Sequence, residues 1–424
     1  MQEHVGRADR TARGVLNPYV RPDLTDLYEI TMAYSYWKVG RHEEPAVFDL
    51  FFRSNPFGGE YTIFAGLEDV LAFLESCSFP TASINYLREN LLPGADPGFW
   101  EYLSHLNCPN VRVFAIPEGS VVFPSMHLLR LEGPLGIVQL LEATLLNLTN
   151  FASLMTTNAA RHRLAAGKDK RLIEFGLRRA QGPDGAISAS RYAYLGGFDG
   201  TSNVVAGQIF NIPVYGTHAH SFMQSFSGFD DLGENKYLKL KDGSQVNFVE
   251  RVLWHREKLG YLHTKESELA AFVCYAICFP TSFLALVDTY DTVRSGIPNF
   301  LCVALALADF DHWAKGVRLD SGDLALLSGI ARNMFQQTSK EYGSGYNDVL
   351  DSLQIVASNN IDEETIQSLN AQGHSIDVFG IGTSLVTCNR QGALRCVYKL
   401  VELRGQARIK ISEDVKKVIV HESY

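Results

Sequence analysis

The stretch Val214–Phe222, VYGTHAHSF, places two histidines, His218 and His220, two residues apart at the end of an apolar run. Three chemistries suit that spacing: a metal pair, one reactive imidazole beside a bystander, or two surface residues. If the stretch is a strand, both imidazoles share a face, because side chains alternate. A metal-dependent barrel hydrolase needs further His and carboxylate ligands from other strand ends. His255 falls in an expected helix, and His263 and His312 in loops or helix ends. One reactive imidazole is the more economical reading.

Two glycine-bearing segments can hold phosphate. In FGIGTS (Phe379–Ser384) and VRLDSGD (Val317–Asp323), glycines let backbone N–H groups approach an anion, and the Thr383 and Ser321 hydroxyls add donors. Arg318 can grip a carboxylate or phosphate through two parallel hydrogen bonds, or pair structurally with Asp320. Arg178 and Arg179 form a second cation cluster, while Arg161 and Arg163 read as an ordinary helix face.

These residues need elements to position them. From about Leu140, long helices alternate with short strands rich in β-branched residues, the pattern of a parallel sheet or barrel. Strands are predicted at Arg171–Phe175, Ile212–Gly216, Phe283–Val287, Gly316–Leu319, Leu353–Ala357 and Asp377–Gly380. Each ends in residues that do chemistry: Glu174 and Arg178, Thr217 and His220, Asp288, Arg318 and Asp320, Ser358 and Asn359, Gly380 and Gly382. One polar strand end is usually a turn, but a series of them is how a βα barrel builds a site.

Ahead of this lies a mixed α+β part. Asp23–Val39 reads as an amphipathic helix with Thr25 as N-cap and Leu27, Ile30, Tyr34 and Trp37 as its buried stripe; Ala46–Phe52 reads as a strand and Tyr61–Ser76 as a second helix. Val111–Pro117 and Gly119–Phe123 read as strands. The fold class is therefore α/β: an N-terminal α/β sandwich over 18–140 and an irregular, TIM-like α/β barrel over 141–395, preceded by a disordered tail over 1–17.

Composition bounds the partners. The 424 residues carry a net charge of −9 and no block of Lys or Arg, which argues against nucleic acid or an anionic membrane surface. The longest apolar runs, such as FLCVALALA (Phe300–Ala308), are too short to span a bilayer. Seven cysteines without ligand spacing point to a reducing cytosol, and Cys274 and Cys278 read as small core residues on one helix face.

The motifs resemble those of a known family. Thr25-Asp-Leu-Tyr28, Asn55-Pro-Phe-Gly-Gly59, Asn158-Ala-Ala-Arg161, the run Glu174–Gly185, Tyr194-Leu-Gly-Gly-Phe-Asp199, Gly216-Thr-His-Ala-His-Ser221, Val317–Asp323, Ser358-Asn-Asn-Ile-Asp362 and Gly380-Ile-Gly-Thr383 occur in the order found in nicotinate phosphoribosyltransferases, above all the animal type. The resemblance implies the sandwich and barrel. It also implies a reaction joining nicotinate to phosphoribosyl pyrophosphate to give nicotinate mononucleotide and pyrophosphate, with Mg²⁺, or Mn²⁺ in its place, and ATP hydrolysed through a phosphohistidine.

By that resemblance His220 is the phosphorylated histidine and His218 stands at a variable position. Arg318 binds the nicotinate carboxylate, and Tyr28 stacks on the pyridine ring from a partner subunit of a homodimer with shared sites. Arg178 serves the pyrophosphate, Asp288 or Asp320 the ribose hydroxyls or the metal, and Ser321, Gly322, Gly380, Gly382 and Thr383 the phosphate, while Thr217 binds substrate. Longer members continue past the segment matching Val397–Ser412, so residues 396–424 read as the start of a return to the sandwich. Two other readings remain: an impaired short form that acts as a dimerisation partner, and an unrelated phosphate-binding barrel such as a zinc hydrolase.

Overall fold

A computed structural model describes residues 17–343 and 345–410; the expected tail over 1–17 lies outside them but for residue 17, as does the segment beyond residue 410. The described chain forms two compact units, one of residues 17–160, 181–196 and 387–410, the other of residues 161–180 and 197–386.

The first unit is built on a five-stranded antiparallel sheet in the order Gln406–Ala407, Cys396–Leu403, Pro45–Phe52, Leu129–Pro134, Arg112–Ala115. Alternation puts Phe48, Leu50 and Phe52 of the central strand into the core, where Phe48 stacks on Tyr398 at 4.8 Å between ring centres. The Tyr398 hydroxyl satisfies itself on the Val138 carbonyl at 2.9 Å. On the other face Asp49, fully buried, accepts from Arg130 Nε at 2.9 Å.

The first helix is shorter than predicted, Leu27–Lys38, and Thr25 does not cap it; its hydroxyl instead donates to Glu29 Oε2 at 2.6 Å. The buried face is Glu29, Ile30 and Ala33, while Leu27 is half exposed. Glu29 turns the helix this way because its Oε1 accepts the Ala143 N–H at 2.9 Å, capping the start of the helix Glu142–Ala166. The predicted helix Tyr61–Ser76 is helical only over Leu67–Glu75, since Thr62–Ile63 pairs with Val121–Val122.

Burial, aided by the charge of Glu142, raises the Glu29 carboxyl to about 7 against the pull of Thr25 and Ala143. The folded protein thus binds a proton that the unfolded chain has released above its ordinary value of 4.5. The linked stability is present below that value and lost as pH rises through 7, by up to about 3 kcal/mol. In Glu29→Gln the fall in melting temperature between about pH 5 and 8 is expected to flatten, measured by scanning calorimetry.

The second unit carries a six-stranded parallel sheet in the order Leu284–Leu286, Gly316–Leu319, Gln354–Ser358, Val378–Ile381, Arg171–Glu174, Gly200–Thr201. Five of the six predicted strands are here within a residue or two. The sixth, Ile212–Gly216, contributes only a bridge at Val214, and the unpredicted pair Gly200–Thr201 lies between it and the sheet. The Thr201 N–H donates to the Pro213 carbonyl at 3.0 Å, and the Thr201 carbonyl accepts from the Tyr215 N–H at 2.9 Å. From there the chain reaches the opposite edge, where the Leu286 N–H donates to His218 Nε2 at 3.5 Å. A side chain thus joins the two edges of the sheet.

Ile173, Leu284, Val356 and Val378 form a buried apolar cluster, with Phe175 and Tyr215 packed against it. The apolar run Phe300–Ala308, too short to span a bilayer, lies in the helix Ile297–Ala308, which is buried over Ile297–Leu307. Cys278 is exposed, not in the core, because it lies at the last position of the helix Glu266–Cys278. Among the described residues no helix is long and apolar enough to cross a membrane.

Candidate active site

The residues that follow the strands Leu284–Leu286 and Gly316–Leu319 meet at His220, the first residue of the helix His220–Gln224. Because the chain is not a strand here, the two histidines do not share a face as alternation predicted. His220 is partly exposed, with Nδ1 3.1 Å from Thr289 Oγ1 and Nε2 3.7 Å from Asp320 Oδ2 and 3.9 Å from Asp288 Oδ1. His218 turns inward, edge-on to Tyr275 at 4.8 Å. Burial, with the charges of Arg318 and His220, lowers its imidazole to about 4, so it is neutral at physiological pH.

The carboxylates are held by their neighbours. Asp288 Oδ2 accepts from Asp320 N–H at 2.9 Å and from Ser321 Oγ, while its Oδ1 is buried with no hydrogen-bond partner. Asp320 accepts from Arg318 at 3.0 Å and from the Ser358 hydroxyl. Burial alone would raise the Asp320 carboxyl, but Ser358 and Arg318 outweigh it and hold it below the ordinary value.

Arg318 is also bound to Ser358 Oγ at 2.8 Å, and its guanidinium lies over the Phe175 ring at 5.4 Å. Both line a cavity of about 500 Å³ with Thr217 and Tyr215. The Thr217 hydroxyl is buried without a partner. Cation, ring and orphaned hydroxyl suit a flat aromatic ligand with an anionic group.

Phe175 is a residue that sequence reasoning missed. Its mark was indirect: Gly380 lies so close that a Cβ there would overlap the Phe175 ring. Gly380→Ala is therefore expected to displace the ring and cost ~10-fold or more in kcat/KM for the aromatic substrate, by steady-state kinetics. Thr289 was missed as well, because a Thr after a strand-end Asp carries no signal of its own.

Gly322 has φ of +79°, a left-handed turn that glycine adopts without strain, just ahead of Asp323, which caps the helix Leu324–Tyr342 through the Leu326 N–H. Gly382 and Thr383 follow the strand Val378–Ile381, where Thr383 begins a short helix. Arg178 and Arg179 stand exposed beyond Glu174 and make no ion pair among the described residues. Arg161 and Arg163 pair with Glu363 and Asp199. Tyr28 belongs to the other unit, on the first turn of its helix and about half exposed.

Comparison with known proteins gives this site a context. The model of the nicotinate phosphoribosyltransferase N-terminal domain matches residues 24–150, and that of the nicotinate phosphoribosyltransferase family matches residues 170–424. The chain is 56% identical over 418 residues to nicotinate phosphoribosyltransferase 2 of Arabidopsis thaliana, covering 96% of this chain and 74% of that one. It is 49% identical over 406 residues to the nicotinate phosphoribosyltransferase of Homo sapiens, covering 94% and 74%. The crystal structure of human nicotinic acid phosphoribosyltransferase aligns with a TM-score of 0.81 at 46% identity, over 91% of this chain and 75% of that one. Agreement at this level across both units shows that the chain belongs to the nicotinate phosphoribosyltransferase family.

Proposed function

We propose that the protein joins nicotinate to phosphoribosyl pyrophosphate, forming nicotinate mononucleotide and pyrophosphate, with ATP hydrolysis coupled through His220. The observation that carries this reading is the convergence of Asp288, Asp320 and Thr289 on His220, one residue from the Arg318 that faces the cavity. The pyridine nitrogen attacks C1 of the ribose, and the C1–O bond to pyrophosphate breaks with its electron pair going to the leaving group. Arg318 binds the nicotinate carboxylate, Phe175 lies against the pyridine ring, and Tyr28 supplies a second ring from a partner subunit in a homodimer. Arg178 draws the departing charge, the backbone at Gly322, Gly380 and Gly382, with Ser321 and Thr383, holds phosphate, and Thr217 binds substrate beside Arg318.

The two carboxylates beside Nε2 favour a proton there, which leaves the Nδ1 lone pair to accept from Thr289 and to attack the γ-phosphorus of ATP. ADP leaves, and water later takes the phosphoryl group. Asp288 and Asp320 would hold Mg²⁺. The orphaned Asp288 oxygen fits an ion that takes one or two carboxylates and completes its shell from phosphate and water, and no cluster of three His, Cys, Asp or Glu ligands stands among the described residues. When bound, such an ion neutralises charge on the leaving pyrophosphate.

The sandwich over 18–140 and barrel over 141–395 belong to the same reading. Purified chain incubated with nicotinate and phosphoribosyl pyrophosphate is expected to yield nicotinate mononucleotide by chromatography, faster with ATP. No product at any ATP concentration would sink the reading.

A further inference from the structure

Behind the strand end that carries Asp288 lies a polar wall that the chemistry above leaves unused. Glu268, in the first turn of the helix Glu266–Cys278, is fully buried, as is Asn299 of the helix Ile297–Ala308. Ser295 Oγ donates to Glu268 Oε2 at 2.6 Å, and Asn299 Nδ2 donates to the same oxygen at 3.0 Å. Asn299 Nδ2 also reaches the Lys265 carbonyl at 3.0 Å, and Lys265 N–H donates to Ser295 Oγ at 3.0 Å. One carboxylate therefore ties the start of one helix to the turn Thr292–Gly296 that leads into another.

That turn is fastened to the site on its other side. The Ser295 and Gly296 N–H groups both donate to the Asp291 carbonyl at 2.9 Å, and the Asp291 carboxylate accepts from Val293 and Arg294. Gly296 packs so tightly that a Cβ there would overlap the Val287 carbonyl. Asp288 and Thr289, which face His220, follow Val287 directly.

A carboxylate in such a place is costly, and an apolar residue of similar volume would pack at least as well. Burial, with the charge of Asp288, raises the Glu268 carboxyl to about 7 despite Ser295, Asn299 and Lys265. Glu268 Oε1 and Asn299 Oδ1 are both buried without a hydrogen-bond partner. Stability alone does not account for an arrangement that leaves two acceptors orphaned.

We propose that Glu268 is a positioning residue for the His220 wall: through Ser295 and Asn299 it holds the segment 288–296 in the arrangement that aims Asp288 and Thr289 at the imidazole. The proposal rests on the reading of His220 as phosphoryl acceptor, and extends it to a residue that touches neither substrate nor His220. Glu268 does not line the cavity that holds Arg318 and Phe175, so it acts on turnover and leaves nicotinate affinity alone.

The test compares Glu268→Ala, Glu268→Gln and Asn299→Ala in the intact chain. Readouts are the ATP-dependent kcat, the KM for nicotinate and the ring ¹⁵N resonances of His220. In Glu268→Ala, kcat is expected to fall ~10-fold or more with KM within ~2-fold, and the His220 resonances to move. Glu268→Gln, which keeps the accepting oxygen, is expected to recover to within ~3-fold of the parent rate. Should Glu268→Ala not fold, Asn299→Ala reads the same shift in smaller measure. A variant that lowers only the melting temperature, with kcat and the His220 resonances at parent values, overturns the proposal. If the parent chain forms no product, the functional reading fails separately, and the His220 resonances still decide whether Glu268 positions that wall.

Discussion

Replacing His220 by alanine is expected to abolish ATP stimulation and acid-labile labelling from γ-³²P-ATP, whereas His218→Ala leaves both in the folded protein. His218 is half-buried, its Nε2 is taken by the Leu286 N–H, and its ring packs on Tyr275. Its removal should cost stability instead, about 2–4 kcal/mol for the lost packing and the orphaned N–H of an edge strand. Labelling lost equally in both folded variants would count against the asymmetry. If His220 is the phosphoryl acceptor as proposed, the loss of stimulation in His220→Ala is expected to exceed ~100-fold in the ATP-dependent rate.

Arg318→Ala is expected to be the most damaging change at the cavity. The guanidinium serves three partners at once: the Asp320 carboxylate, the Ser358 hydroxyl and the Phe175 ring. If Arg318 binds the nicotinate carboxylate as proposed, its loss is expected to cost roughly 2–4 kcal/mol, or a 30- to 1,000-fold drop in kcat/KM. Nicotinamide, which has no charge to pair, should lose less, so discrimination between the two shrinks. Arg318→Lys should rescue poorly, because an ammonium cannot make two parallel hydrogen bonds. The acid limb of the kcat/KM profile supplies a second readout. Burial presses the Asp320 carboxyl upward while Ser358 and Arg318 hold it down. Without Arg318 it protonates at higher pH, so activity falls off earlier on acidification. An unmoved limb would show that Asp320 is not the group being read.

Much of the site was legible in sequence. His220, Asp288, Arg318, Asp320 and Ser321 each end a predicted strand or follow one closely, and these residues meet. Strand Gly316–Leu319 was bounded correctly because the glycine that opens it and the polar residues after it leave no room for slippage. The second histidine was harder. Alternation assumed a strand through His218, but among the described residues this stretch bridges the sheet at Val214, and the helix begins at His220. Phe175 and Thr289 were missed because a Phe after a strand reads as core and a Thr after an Asp as a turn.

Local pattern alone determined the chemistry available: the apolar periods, the polar strand ends and the glycines that admit phosphate. Tertiary structure decided which strands are neighbours, that Gly200–Thr201 holds an edge, that Leu27 is exposed while Glu29 is buried, and that Glu268 stands behind Asp288. The physical reason is that periodicity reports which face of an element is apolar, over a few residues. Parallel strands pair across long crossovers, and a carboxylate such as Glu29 or Glu268 enters the core only when distant N–H and O–H donors are brought to it.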